Sequence, residues 1–233
     1  QTPRSYPPRT IYQAERALLR PSLHPLEGQD ADWQRILRTG RRPRQQELAE
    51  LDQRTRLFRA FEATVIPGLL QTAEYARARF AEGIRRLKLP NDSNDALQGL
   101  MMPPAFLYRP DRRFHCPLTE AALRCRLCAP EVMLGQLDRL ISFSQLPNVR
   151  LGIIGFETQY STSPWHGFWL YDSERVLVET FSAALDLRQP QEIELYSNAF
   201  EQLAAVSSYG GTARAIIMRV IDDFAAETNE DGS

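Results

Sequence analysis

The chain contains little lysine, histidine or cysteine. Of its 28 basic residues 27 are arginine and one, Lys88, is lysine, a bias that folding does not require and that is typical of a GC-rich genome. Three cysteines cannot form a complete disulfide framework, and a chain of 233 residues buries enough surface to fold without one. Together with the absence of a secretory signal, this cysteine content predicts a cytoplasmic protein.

Long apolar runs and the common catalytic motifs are missing as well. The sequence has no apolar stretch of about 18 residues, the minimum for a membrane-spanning helix. It also lacks a phosphate-binding P-loop, a dinucleotide-binding glycine motif and the His-Glu-x-x-His zinc motif. We therefore expect no membrane association and no cofactor.

Charge is balanced overall but uneven along the chain. The net charge is −1, which does not indicate a general nucleic-acid binder. The first sixty residues carry an arginine excess that includes Arg41, Arg42 and Arg44. A solvated helix face explains this cluster most simply, and direct contact with DNA phosphates is the alternative. No helix-turn-helix pattern is present, so we expect that a DNA-reading module either precedes Gln1 or does not exist.

Composition divides the chain into three parts. Residues 1–30 are rich in proline and arginine and are predicted to be an arm or the remnant of a linker. Residues 31–226 form the predicted domain, and residues 227–233 form an acidic tail.

Helical and alternating hydrophobic patterns are mixed within the domain. They predict an α+β fold, with a mostly antiparallel sheet flanked by amphipathic helices. Helices are expected at 32–39 and 45–58, after the cap Thr72, from Pro130, from Pro190 and after the cap Thr212. Strands are expected at 59–66, 105–108, 114–118 and 149–156, with a hairpin of 167–171 and 175–181.

An aromatic loop between two predicted strands is the most site-like segment. It contains Tyr160, Trp165, His166 and Trp169, together with proline and glycine. Aromatic loops often wall a small-molecule pocket or a peptide groove, and covering the core is the alternative role.

Three carboxylates, Glu62, Glu120 and Glu179, lie on or beside predicted strands. If they face one cavity, they can bind a cationic group or act as acid and base. The alternative is a set of local ion pairs with Arg59, Arg124 or Arg175.

His115, Cys116, Cys125 and Cys128 have some features of a metal site. Cys125 and Cys128 have ligand spacing, but a structural zinc site needs four convergent ligands. Adjacent residues on a strand point to opposite faces, so His115 and Cys116 cannot both contribute. We predict small buried cysteines and no metal.

Segment Pro67–Arg79 reads PGLLQTAEYARAR and resembles the signature of the DUF5753 domain family. Weaker matches follow in the same order, namely LTEAALR at Leu118–Arg124, PNV at Pro147–Val149, and the predicted hairpin. This family occurs in actinobacteria, usually behind a helix-turn-helix of the Xre type in antitoxin-like transcription regulators.

The resemblance implies a C-terminal sensor or partner-binding domain whose DNA-binding head is absent from this chain. It further implies homodimerisation and either a small-molecule effector or a small partner protein. Within the signature, Gln71 is polar and lies at the turn, so it joins the candidate site residues. The alternative is a free-standing enzyme that reuses the domain, with a Cys/His or carboxylate site.

Overall fold

A computed structural model describes residues 31–32, 42–87, 104–181 and 183–230. Its centre is one seven-stranded sheet in the order β1-β7-β6-β5-β2-β3-β4. The strands are β1 (Ala31–Asp32), β2 (Leu57–Phe61), β3 (Arg113–Thr119), β4 (Val149–Ile154), β5 (Phe168–Tyr171), β6 (Arg175–Glu179) and β7 (Ala183–Leu187).

Six α-helices and two short 3-10 helices lie within the described ranges. The α-helices are α1 (Arg42–Arg54), α2 (Ala73–Leu87), α3 (Glu120–Arg124), α4 (Pro130–Phe143), α5 (Pro190–Ala205) and α6 (Gly210–Glu230). The 3-10 helices span Gly68–Leu70 and Pro104–Tyr108. No helix in this part of the chain is both long and apolar enough to cross a membrane.

The sheet is mostly antiparallel, which confirms the predicted α+β class. Strands β2, β3 and β4 run parallel, whereas the pairs β2–β5, β5–β6, β6–β7 and β1–β7 are antiparallel. The predicted hairpin is present as β5–β6, and Asp172 adopts a left-handed φ of 50° in its turn. The Asp172 side chain accepts a bond from the Leu57 amide at 2.8 Å, which ties the hairpin turn to the start of β2.

Alternation along the strands divides the core between the two faces of the sheet. The first face carries Phe58, Ala60, Phe114, Cys116 and Leu118, and is covered by α1, α2, α4 and α6. The second face carries Phe61, Phe168, Leu170, Val176 and Val178, and packs against α5. The faces thus differ in how much helix covers them.

Helix α1 is anchored to the first face by Arg112, a side chain that is 2 % exposed. Its guanidinium donates to the carbonyl oxygens of Asp52, Gln53 and Thr55 and lies 4.3 Å from the centre of the Phe106 ring. The last carbonyls of a helix have no partners within the helix, so the arginine acts as a cap for the end of α1.

Several strand and helix bounds differ from prediction, and β4 and β6 end at Ile154 and Glu179 rather than at residues 156 and 181. Helix α1 ends at Arg54, so Phe58 belongs to β2 rather than to a helix reaching residue 58. Strand β2 ends at Phe61, and residues 63–66 turn toward the Pro67–Gly68 corner. The predicted strand at 105–108 is a 3-10 helix, because it starts at Pro104 and the Arg109 amide bonds back to Phe106.

The predicted helix caps are confirmed only in part. Thr72 caps α2 as predicted, since its hydroxyl accepts a bond from the Tyr75 amide at 3.2 Å. Thr212 is not a cap, because α6 already begins at Gly210, whose φ of +57° suits glycine. That helix continues to Glu230, into the acidic tail. Arg41 and residues 33–39 of the first predicted helix lie outside the described residues, and Asp32 belongs to β1.

Candidate functional site

Glu62 and Trp169 meet on the first face, at the end of β2. The backbone of Glu62 continues the parallel pairing, because its amide donates to Pro117 and its carbonyl accepts from Thr119. Its side chain lies on the Trp169 side of the sheet, where Oε1 accepts a bond from the indole Nε1 at 3.2 Å. Strand pairing thus joins residues that are 107 positions apart in the sequence.

Gly167 leaves the space that the Glu62 carboxylate occupies. A β-carbon at Gly167 would lie 2.1 Å from Glu62 Oε2 and 2.7 Å from Glu62 Cδ. Because the clashing atoms end a flexible side chain, a larger residue would push the carboxylate aside rather than break the sheet. Gly167 therefore determines where the carboxylate lies.

The Glu62 carboxylate has an unusual proton affinity. Burial, assisted by the negative charge of Glu179, raises the pKa of Glu62 to about 7, against the opposing effects of the Trp169 bond and Arg79. Glu62 forms no ion pair with any other residue that the structure describes. A half-buried carboxylate of this kind can take up a proton or a cationic ligand near neutral pH. Glu62, Trp169 and Glu179 are the predicted site residues that the structure brings to one end of the first face.

The aromatic loop is divided between the faces. His166 lies near the second face, with its Nε2 2.9 Å from the Tyr196 hydroxyl and its ring edge-on to Phe168. Burial lowers the pKa of His166. Tyr160 packs against the hydrophobic core of the second face, whereas Trp165 is 78 % exposed. Of the four aromatic candidates, Trp169 is the one that donates a hydrogen bond to Glu62.

Gln71 has a structural position in the signature. Its side-chain amide donates to the Ile66 carbonyl at 2.7 Å, across the Pro67–Gly68 turn. Gln136 of α4, fully buried, holds the other side of the turn: it donates to the Leu70 carbonyl at 2.8 Å and accepts from the Thr72 amide at 2.7 Å. The signature is thus an architectural corner closed by two glutamines.

Glu120 forms the local ion pair that was the alternative interpretation of the carboxylates. This carboxylate is buried and accepts from Arg124 Nε at 3.0 Å and from the Phe156 amide at 3.2 Å. Arg219 adds a longer contact at 3.5 Å. These bonds connect α3 to α6 and to the segment that follows β4.

The histidine–cysteine set does not converge. His115 contacts Phe200 and Tyr209 on the second face, whereas Cys116 belongs to the core of the first. Burial raises the pKa of the Cys116 thiol to about 12, so thiolate is scarce at neutral pH. No group of three potential ligands with metal-site geometry is found among the residues that the structure describes.

Gln136 and Arg112 were not predicted, although Gln136 leaves a signal in the sequence. It interrupts the apolar stripe of α4 between Met133 and Leu137, where a polar residue must find a buried partner. Nothing local distinguishes Arg112 from its neighbour Arg113.

Fold and site together define a mixed α/β domain with a half-buried carboxylate–indole pair beside its signature corner. A family model, "Domain of unknown function (DUF5753)", matches residues 45–219. The chain therefore belongs to the DUF5753 family, which confirms that part of the resemblance.

Comparison with curated proteins gives no significant match. Among solved structures, the chain is similar to TrmBL2, described as an archaeal chromatin protein with a novel mode of DNA binding. The identity is 10% and the TM-score 0.37, over 87% of this chain and 64% of that one. The chain thus spans less than two thirds of the length of TrmBL2, and a likeness at this level supports no statement about function.

Proposed function

We propose that this DUF5753 chain is the ligand- or partner-binding domain of a cytoplasmic helix-turn-helix transcription regulator of the Xre type. Its binding site is the Glu62–Trp169 pair with Glu179 at its margin. The observation that supports the site is a half-buried carboxylate, held by an indole N–H, that has no cationic partner in the described part of the chain. Burying a carboxylate in this way is costly, and ligand binding would offset the cost.

The Glu62–Trp169 site and helix α1 lie on the same face of the sheet, which gives a route from the site to α1. The rings of Trp169 and Tyr171 are stacked, with centroids 6.3 Å apart. Arg175, which pairs with Tyr171 across the hairpin, binds Asp186 and also contacts Glu47 of α1 at 3.0 Å. A ligand that moves Trp169 would therefore reach α1, on the N-terminal side, where a DNA-binding head would join. Such coupling requires different affinities for two arrangements of α1.

The exposed side chain of Trp165 suits a macromolecular partner better than a small effector. Exposed tryptophans are enriched among the residues that dominate protein interfaces. In this proposal the domain acts as a homodimer, and Trp165 contacts a small partner protein while Glu62 and Trp169 take the effector.

The enzyme alternative rests on the same carboxylate rather than on cysteine. A pKa near 7 suits a general base, and Glu62 has it. Cys116 is a poor nucleophile because its thiol is buried and hard to ionise. Glu62 forms no ion pair among the residues that the structure describes, which favours binding of a cationic ligand over catalysis.

Native mass spectrometry of the purified chain, combined with thermal-shift screening of metabolites, tests the binding role. We expect a bound small molecule or a stabilising one that is lost in Glu62→Gln, which removes the charge. Gly167→Ala keeps the charge but displaces the carboxylate, and should lose the ligand as well. Glu157→Gln, at an exposed carboxylate, is the matched control. Wild-type protein without any ligand, or variants that retain it, would overturn the proposal.

The regulatory role is tested separately on the complete gene product. We expect a helix-turn-helix sequence upstream of Gln1, and a gel shift with promoter DNA that changes when the ligand is added. The enzyme alternative would be favoured if the complete gene product lacked that motif and converted a substrate, and if Glu62→Gln abolished the conversion.

A further inference from the structure

Basic side chains form a row across the part of the second face that adjoins β4. Arg59 of β2 is in register with His115 of β3, which is in register with Arg150 of β4. Arg113 precedes His115 by two positions and therefore lies on the same face. With ideal strand spacings, the α-carbons of Arg113 and Arg150 are about 8 Å apart. We name these four residues the arginine row.

Tyr209 holds the middle of the arginine row in place. Its hydroxyl donates to the Ala204 carbonyl at 3.0 Å, so at 2.7 Å it must accept a hydrogen from His115 Nε2. The Arg150 guanidinium lies 4.3 Å from the centre of the Tyr209 ring. A β-carbon at Gly152 would be 2.8 Å from Tyr209 Cε1, so this glycine lets the tyrosine lie against the sheet. Tyr209 therefore positions His115 and Arg150 within the row.

The charges of the arginine row are only partly neutralised. Arg59 donates to the Asp172 carbonyl and contacts Glu201 at 3.6 Å. Arg113 and Arg150, both exposed, form no ion pair with any residue that the structure describes. Burial, together with the charges of Arg150 and Arg59, lowers the pKa of His115 to about 4, as expected in a positive field.

Two exposed guanidinium groups that form no ion pair within the described part of the chain suit an anionic group, because arginine binds phosphate with paired hydrogen bonds. A shallow depression next to Arg113 is lined by Tyr108, Pro110, Leu146, Pro147 and Asn148. It offers an exposed aromatic ring beside the arginine for the organic part of a ligand.

We propose that the arginine row binds a small molecule through its phosphate group, with Arg113 and Arg150 as the contacting residues. Tyr209 and His115 act as positioning residues behind them. A single phosphate fits better than a nucleic-acid strand, because the row is short and Glu201 lies at its β2 end, where the negative charge would repel a longer polyanion. This site is on the opposite face from Glu62 and does not depend on the function proposed above.

Histidine NMR tests the site with inorganic phosphate as the probe, at constant ionic strength against chloride. Phosphate should shift the His115 ring signals saturably and raise the pKa of His115, while the signals of His166 stay unchanged. Arg113→Gln and Arg150→Gln should each weaken phosphate binding about tenfold, as expected for loss of a charged hydrogen-bond partner. Arg77→Gln, at an exposed arginine on α2, should have no effect.

Three results would overturn the proposal. The first is an equal response to chloride, and the second is saturable binding that survives in the Arg113→Gln/Arg150→Gln double variant. The third is tight binding of a short DNA duplex at low salt without a response to phosphate, which would make the row a nucleic-acid contact. Far-UV circular dichroism shows whether each variant is folded. If the double variant does not fold, the two single variants, each at an exposed position, still test the site.

Discussion

The two faces of the sheet differ in coverage and therefore in the chemistry that they can present. Four helices cover the first face, so a polar group there needs a hydrogen-bond partner or a ligand. Arg112 and Gln136 donate to backbone carbonyls, and Glu62 accepts a bond from Trp169. The second face packs on α5 and leaves Arg113 and Arg150 of the arginine row exposed. Adjacent residues of one strand thus have opposite energetic roles, which single substitutions can measure.

Arg112 and Arg113 give the largest expected contrast between the faces. Arg112→Met removes three hydrogen bonds at the end of α1 and leaves the buried Thr55 carbonyl and two part-buried carbonyls without donors, so we expect a loss of about 3 kcal/mol in the free energy of unfolding. Arg113→Met should cost less than about 0.5 kcal/mol, as at other exposed sites. Urea unfolding measures both, and equal losses would contradict the difference in coverage.

Gln136 and Gln71 both form hydrogen bonds to the backbone of the signature corner, Gln136 from a buried side chain and Gln71 from a half-buried one. Gln136→Leu leaves the Leu70 carbonyl and the Thr72 amide unpaired, with an expected loss of about 2 kcal/mol. Gln71→Ala removes one bond to Ile66 and should cost about 1 kcal/mol. Chemical denaturation gives both values, and a larger loss for Gln71→Ala would show that the corner is held differently.

Glu62→Gln should stabilise the protein, but only above a certain pH. The folded pKa of about 7 lies above the ordinary 4.5, so the folded state binds more protons between these values and becomes less stable as pH rises through them. We expect Glu62→Gln to raise the unfolding free energy by on the order of 2 kcal/mol at pH 8 and hardly at all at pH 4. Thermal melts across this range measure it, and a gain independent of pH would rule out the titration.

Trp165→Ala should have the smallest effect on stability, because the side chain is 78 % exposed. The melting temperature should change by less than about 2 °C. Calorimetry on both proteins checks this, and a drop of several times that size would place Trp165 in the second-face core against which Tyr160 packs.

Sequence patterns predicted the elements whose signals are local. Helices α4 and α5 begin at the predicted Pro130 and Pro190, because proline at the first helical position needs no partner for its nitrogen. The 3-10 helix at Pro104–Tyr108 escaped prediction, because its short apolar run also fits a strand. The start of α6 was placed too late, since the left-handed φ of Gly210 is a property of the folded chain.

The candidate site could be predicted only as separate residues. Glu62, Trp169 and Glu179 were all named, but the Glu62–Trp169 bond depends on strand order, and β5 pairs with β2 only in the folded sheet. The arginine row depends on register in the same way, because a shift of one residue would move its members to the other face. Gln136 differs, because a polar residue within the apolar stripe of a helix indicates from sequence alone that it has a buried hydrogen-bond partner.

The first face holds a carboxylate, Glu62, whose burial keeps it ready for a ligand. The direct measurement is the pKa of Glu62, from the pH titration of its side-chain carbon by NMR, with Glu62→Gln assigning the signal. We predict a pKa of about 7 in the free protein, well above that of an ordinary glutamate. A pKa near 4.5 would show that the carboxylate is hydrated and would contradict the account.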